Sequence, residues 1–189
     1  MLTALLSSQA SAYQISKYNN QNVKGLQGSS ISFQSWSGLT KETRWAIDYA
    51  SRQWNNKTGV TKLYHSSTQH NTNIVATSDG KNLITKVSFG QTQDMMRTTI
   101  ILTLVDGQFY IKEADIEINS DVPWNNTGSA TCYDVQNCIT HEFGHMLGLG
   151  DENRATYSES TMYFSAGIGE VKKRTLEQDD INGFNAIYN

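Results

Sequence analysis

Residues 141–151 have the sequence HEFGHMLGLGD, and this stretch governs how the rest of the chain is interpreted. On an α-helix, side chains four positions apart lie on the same face. A helix here therefore directs the imidazoles of His141 and His145 toward one metal ion, with Glu142 close enough to act as the base for a water molecule. Chance would produce His-Glu-x-x-His in roughly 0.4% of chains of this composition, so the pattern predicts a metal site.

A third ligand follows the same helix. A catalytic zinc site takes three protein ligands and keeps one coordination position open. Gly148 can adopt the left-handed conformation that ends a helix, and such a turn would let Asp151 reach back to the metal. We therefore interpret Asp151 as the third ligand; the alternative is a surface aspartate in a turn.

Composition excludes several classes of protein. The chain has 189 residues, of which 38% are hydrophobic and 17% charged, which is typical of a folded domain. The net charge is -3, and we interpret the short basic run 172–174 as a solvated loop or helix end, so we expect no nucleic-acid partner. No apolar run approaches the roughly 20 residues of a membrane span, so we expect no membrane partner. We also expect a monomer.

The N-terminus indicates an exported protein, and export bears on the state of the two cysteines. Residues 1–12 end in Ala-Ser-Ala after a short apolar stretch and resemble the end of a signal peptide, although a disordered terminus is the alternative. We predict one domain over residues 13–189. In an oxidising compartment Cys132 and Cys138 would form a disulfide; the alternative is two buried thiols.

Three segments have helical periodicity, namely residues 40–56, 134–148 and 176–188. Thr40 can cap the first of them and Gly59 can end it. Its buried face is predicted to carry five residues: Trp45, Ala46, Tyr49, Ala50 and Trp54.

Strands alternate with these helices along the chain. Asp106-Gly107 lies between two β-branched, apolar segments and predicts a hairpin turn. The order of strands and helices predicts an α+β fold, close to α/β, with one mixed sheet.

Four motifs resemble the metzincin metallopeptidases. Residues 141–151 match their extended zinc motif, with Asp in place of the usual final His, as in snapalysin. Residues 160–163 resemble the Met-turn, residues 175–188 the last helix of matrixins, and residues 114–119 the strand before the zinc helix. The chain is therefore similar to secreted, bacterial, matrixin-like metzincins, and this resemblance covers roughly residues 31–189.

The resemblance implies a role for each matching residue. The implied zinc ligands are His141, His145 and Asp151. Glu142 becomes the general base, and Met162 the structural floor beneath the metal. Asp179 and Asp180 resemble the pair that anchors the mature N-terminus and the Met-turn. Three residues are implied in the wall of the pocket for the side chain after the scissile bond: Tyr163, Phe164 and Ile168.

We therefore expect a secreted zinc endopeptidase that cleaves proteins or peptides bound along an edge strand within residues 91–105. Calcium is compatible with such a domain, but no residue pattern assigns a site. One alternative is a gluzincin with Glu170 or Glu177 as third ligand, although neither lies in that class's usual motif. Another is a catalytically degenerate peptidase-fold binding protein, against which the intact Glu142 argues.

Overall fold

Five strands build one mixed sheet in the computed structural model, which describes residues 13–73, 78–90, 92 and 94–189. The strands are β1 (Ile31–Ser35), β2 (Leu63–His65), β3 (Leu83–Val87), β4 (Met96–Val105) and β5 (Gln108–Asn119). Their order is β2-β1-β3-β5-β4, and only β4 runs antiparallel to its neighbour. This mixed sheet with its helices confirms the predicted α+β fold. The signal-like segment 1–12 lies outside the described residues.

The predicted hairpin joins β4 to β5. Asp106 and Gly107 both have positive φ, at 48° and 74°, as a two-residue turn with the twist of the flanking strands requires. The turn leaves β4 at the edge of the sheet. The prediction of an edge strand within residues 91–105 is confirmed.

Helix α1 (Lys41–Thr58) has the predicted ends. The Thr40 hydroxyl accepts a hydrogen bond from the Thr43 amide at 3.2 Å, and Gly59 ends the helix with φ 70°. Three members of its predicted buried face are indeed in the core: Ala46, Ala50 and Trp54.

The prediction is wrong for the other two members of that face. Trp45 is 52% exposed and Tyr49 is 56% exposed. One residue along a helix is a rotation of about 100°, so these two form a separate stripe beside the alanine and Trp54 stripe.

Helix α2 (Val135–Met146) lies between α1 and the edge strand β4, and it contacts both. Asp134 caps its start by accepting a hydrogen bond from the Asn137 amide at 3.0 Å. The indole of Trp54 donates to the Thr140 carbonyl at 2.8 Å, which fixes α1 against α2. Phe143 packs on Phe33 of the sheet, with ring centroids 5.0 Å apart. These contacts hold α2 in a fixed position above the sheet.

Helix α3 (Gln178–Tyr188) begins later than its sequence suggests. The periodicity predicts a helix from residue 176, but the cap is Glu177. Glu177 and Asp180 each accept a hydrogen bond from the other's backbone amide, which starts the helix at Gln178. Phe184 is buried, and the Tyr188 hydroxyl donates to the Leu147 carbonyl at 2.9 Å. The last helix is thereby attached to the end of α2.

Short strands and turns complete the fold. Gln14–Ile15 pairs with Leu149–Gly150, Lys17–Tyr18 with Gln21–Asn22, and Trp124–Asn125 with Tyr133–Asp134, while Ala155–Tyr157 and Lys172–Arg174 form 3-10 turns. The first of these pairs supports the chain just before Asp151. Within the described part of the chain, no helix has the length and apolar character needed to cross a bilayer.

Candidate metal centre and cleft

Three side chains converge at the end of α2. The Nε2 atoms of His141 and His145 lie 3.1 Å apart, and Oδ1 of Asp151 lies 3.2 Å from the first and 3.4 Å from the second. In the part of the chain that the structure describes, this is the one group of three or more His, Cys, Asp or Glu residues that could hold a metal ion. The three ligands proposed from sequence are therefore brought together, and neither Glu170 nor Glu177 joins them.

The outer nitrogen of each imidazole fixes its tautomer. Nδ1 of His141 lies 2.8 Å from the Thr161 carbonyl, and Nδ1 of His145 lies 2.9 Å from the Leu149 carbonyl. A carbonyl only accepts hydrogen bonds, so each Nδ1 carries a proton, and each Nε2 directs its lone pair inward once a metal ion has displaced the proton from that nitrogen. Two lone pairs and a carboxylate facing one point form a donor set that fits a divalent cation such as zinc.

The charges around this point also favour a cation. Burial alone would lower the pKa of His145, but the carboxylates of Asp151 and Glu142 outweigh burial and raise it to about 9. Burial alone would raise the pKa of Asp151, but hydrogen bonds from His141 and His145 hold it well below its usual range. Positive charge is thus stabilised where the three side chains meet.

A glycine turn presents Asp151 to the histidines. Gly148 lies just beyond the end of α2 and has φ 97°, a backbone conformation that residues with a Cβ atom rarely adopt. The next residues pair with Gln14–Ile15, and the Glu152 amide donates to the Met162 carbonyl at 2.7 Å. The segment that carries Asp151 is therefore attached on both sides, as the predicted reach-back requires.

Glu142 lies in the same cavity as the three ligand residues. The side chain is mostly buried, and its Oε2 accepts a hydrogen bond from the Thr98 hydroxyl at 2.6 Å. Thr98 belongs to the edge strand β4, so strand and helix together orient the carboxylate. Sequence analysis did not identify Thr98, because a threonine in a β-branched strand gives no local signal of this long-range contact.

The Met-turn lies beneath the histidines and is anchored by α3. Met162 is 2% exposed. Asp180 accepts hydrogen bonds from the Ser160 hydroxyl at 2.6 Å, the Thr161 amide at 2.9 Å and the Met162 amide at 3.0 Å. The carbonyl of Thr161 in turn fixes His141, so α3 supports the metal centre through this turn. The anchoring role implied for Asp180 is confirmed.

The metal centre opens into a cavity of about 650 Å³. One side is formed by Met95 and the start of the edge strand, from Met96 to Thr98, and the other by the segment 164–166. Of the three residues implied in the pocket wall, Phe164 lines this cavity, whereas the side chains of Tyr163 and Ile168 do not. Ile168 is 52% exposed because the chain turns at Gly169, whose amide donates to the Cys132 carbonyl at 2.9 Å.

The structure contradicts the predicted disulfide. Cys132 and Cys138 are both free thiols. Cys132 lies in the loop before α2, where its sulfur is 3.7 Å from the Thr131 hydroxyl. Cys138 lies within α2 and lines the cavity, and burial raises the pKa of its thiol to about 12. The helix thus directs Cys138 into the cleft rather than toward the loop.

The basic run 172–174 is not a solvated end. Lys173 is 2% exposed and lines the cavity, and Arg174 forms an ion pair with the buried Asp134. Lys172 alone behaves as predicted, in a surface ion pair with Glu159. A run of three charges looks solvated in sequence, but the 3-10 turn points its members in different directions.

Comparisons with known proteins identify the family of this chain. The matrixin peptidase family model matches residues 29–189. The chain belongs to the matrixin family. Among curated human proteins, this matrixin is 34% identical to neutrophil collagenase, 35% to matrix metalloproteinase-27 and 32% to matrilysin, each over 74 residues, or 39% of the chain. Those alignments span only 15%, 14% and 26% of the three relatives.

A solved structure is also similar to this matrixin. It is high choriolytic enzyme 1, a hatching-enzyme zinc protease of the medaka fish Oryzias latipes, with 17% identity and a TM-score of 0.42. The match covers 93% of this chain and 94% of that one.

Proposed function

We propose that this matrixin is a zinc-dependent endopeptidase that hydrolyses peptide bonds in proteins. The observation that carries the proposal is the convergence of His141, His145 and Asp151 in one cavity with Glu142. Two imidazoles and one carboxylate suit zinc, although the same set also suits ferrous iron. A carboxylate base beside the ligands, in a chain of a peptidase family, favours zinc and hydrolysis.

Each residue has a defined part in the reaction. Zinc, when bound, would polarise the scissile carbonyl and make a water molecule more acidic. Glu142 takes a proton from the attacking water and delivers it to the leaving amine. Thr98 holds one oxygen of this carboxylate, which leaves the other free to face the cavity.

The edge strand and the cavity wall provide a binding cleft. An extended peptide can pair with the free edge of β4, backbone to backbone, which gives binding with little sequence dependence. The side chain after the scissile bond then enters the space beside Phe164, between β4 and the segment 164–166. Tyr163 supports this wall through its ring contact with Phe164, with centroids 4.9 Å apart.

The proposal includes the setting of the enzyme. The signal-like segment 1–12 supports secretion, and the substrates would be extracellular proteins or peptides. The enzyme would act as a monomer, because the ligands, the base and both cleft walls all come from one chain.

Replacement of Glu142 tests the proposal. Glu142→Ala should retain zinc and the melting temperature of the parent protein while casein digestion falls by at least 100-fold, in the range of general-base catalysis. Glu159→Ala is the matched control, since Glu159 is an exposed acid that pairs with Lys172 at the surface. If Glu142→Ala digests casein as fast as the parent protein, the proposed mechanism is wrong. If the zinc-loaded parent protein binds peptides without cleaving them, it is a degenerate binding protein.

A further inference from the structure

A buried ammonium group lies at the wall of the proposed substrate cavity. Lys173 is 2% exposed, yet it is among the residues that line the cavity together with Cys138, Phe164 and Ala166. Burying a lysine is costly unless its charge is compensated, so a lysine in this position calls for an explanation.

The surroundings of Lys173 do not neutralise its charge. Its Nζ donates to the carbonyl of Tyr163, and its backbone amide donates to Asn137 Oδ1 at 2.8 Å. Within the described residues, no carboxylate forms an ion pair with this ammonium. The ammonium has three donors and one protein acceptor, which leaves donors for a ligand in the cavity.

Nearby acids are committed elsewhere. Burial lowers the pKa of Lys173, and the carboxylates of Glu170 and Asp151 offset this only in part. Asp151 faces the two histidines, and the oxygens of Glu170 accept from Asn137 Nδ2 at 3.4 Å and the Gly167 amide at 3.3 Å. The other cation of the cavity, Arg97, is already paired, with its Nε 2.6 Å from Oε2 of Glu117. Lys173 is therefore the cavity cation that remains without an anionic partner among the described residues.

We propose that Lys173 is a specificity-determining residue that binds an acidic side chain, glutamate or aspartate, immediately after the scissile bond. This inference rests on the proposed endopeptidase function, because it assigns a substrate group to the cleft of that enzyme. The substrate carboxylate supplies the negative charge that the protein does not provide, and a charge-assisted hydrogen bond forms in a site largely shielded from water. An amide of the same shape cannot replace it, since the lysine charge would stay unpaired.

Three matched peptides, amidated at the C-terminus, test this inference. They differ only in Glu, Gln or Leu after the scissile bond, and mass spectrometry verifies the cleavage point. The parent enzyme should show a kcat/KM at least tenfold higher for Glu than for Gln, as expected when a buried charge loses its partner. Lys173→Met should remove this preference, so that the ratio of kcat/KM for the Glu peptide to kcat/KM for the Gln peptide falls to about one.

Control variants separate selectivity from folding. Lys172→Met should keep the parent preference, because Lys172 pairs with Glu159 at the surface. Lys173→Arg should keep a preference for the Glu peptide even if Lys173→Met folds poorly.

Two results overturn the inference. One is a parent enzyme that cleaves the Gln or Leu peptide at least as well as the Glu peptide, and the other is an equal loss on all three peptides in Lys173→Met. If the parent enzyme cleaves the Leu peptide, loses this activity in Glu142→Ala and shows no preference for the Glu peptide, only the inference about Lys173 fails. If no peptide and no casein is cleaved, the proposed function fails as well.

Discussion

Gly144 lies directly against the thioether of Met162. A Cβ at Gly144 would lie 2.1 Å from the Met162 sulfur and 3.1 Å from the Trp54 ring. Real Cβ atoms do not come this close to another heavy atom, so the buried Met162 side chain would have to move. The Met-turn can therefore approach α2 closely only because position 144, between the two histidines, has no side chain.

Gly144→Ala should destabilise the protein by about 1–2 kcal/mol, because overpacking outweighs the higher helix propensity of alanine. The free energy of unfolding in denaturant measures this effect. In a Met162→Ala background the sulfur is gone, and Gly144→Ala should then cost less stability than it does in the parent protein. The same loss in both backgrounds would show that the contact with Met162 is not the cause.

Asp179 and Asp180 are neighbours, but replacing each of them with asparagine should have opposite effects on the free energy of unfolding. Burial, with help from Asp180 and Glu152, raises the pKa of Asp179 to about 6. A raised carboxyl pKa means that the folded state favours the protonated form, so the charge of Asp179 costs stability above pH 6 and nothing below about pH 4. Asp179→Asn should therefore be more stable than the parent at pH 7.5, by about 1–2 kcal/mol after solvent screening, and equal to it near pH 4.

Denaturant unfolding of the chelated protein across this pH range measures the difference without interference from metal. Asp180→Asn is the contrasting variant. It weakens the hydrogen bonds to the Met-turn and should lose about 2–4 kcal/mol at pH 7.5. A pH-independent difference for Asp179→Asn would contradict the assignment of the raised pKa.

Thr98 should matter for rate rather than for metal binding. Thr98→Val removes the hydroxyl that holds Glu142 Oε2 but retains the shape of the side chain. We expect kcat to fall about 5–50-fold, since a misplaced base loses part of its contribution, with zinc content unchanged. Thr103→Val, further along the same strand, is the control and should keep the parent kcat. An unchanged kcat in Thr98→Val would show that Thr98 does not position Glu142 for catalysis.

The two tryptophans of α1, Trp54 in the buried stripe and Trp45 in the exposed one, should differ sharply in their effect on stability. Trp54 is 1% exposed and bonded to the Thr140 carbonyl, so Trp54→Ala should cost about 3–5 kcal/mol. Trp45→Ala should change the free energy of unfolding by about 0.5 kcal/mol or less, because Trp45 is 52% exposed. A large loss for Trp45→Ala would restore the original prediction that it belongs to the core.

This contrast shows where sequence reasoning succeeds and where it does not. Thr40 and Gly59 mark the ends of α1 because caps act locally, and the His141–His145 spacing predicts a shared face for the same reason. Trp45 was misplaced because two adjacent apolar stripes have the same period, and only tertiary packing decides which one is buried.

Long-range contacts explain the remaining differences. Lys173 is buried because the segment after the Met-turn folds against α2, and nothing in the basic run predicts that contact. Cys138 follows its helix into the cleft, so its sequence distance from Cys132 is a poor guide to pairing. Thr98 meets Glu142 across 44 positions of sequence.

The central claim is that His141, His145 and Asp151 together hold one zinc ion. Anomalous scattering at the zinc edge from crystals of the zinc-loaded protein tests it most directly. The account predicts one strong peak bonded to the two Nε2 atoms and to a carboxylate oxygen of Asp151, and the loss of that peak in Asp151→Ala at limiting zinc. A peak bonded to other side chains, or one that keeps full occupancy in Asp151→Ala, would contradict it.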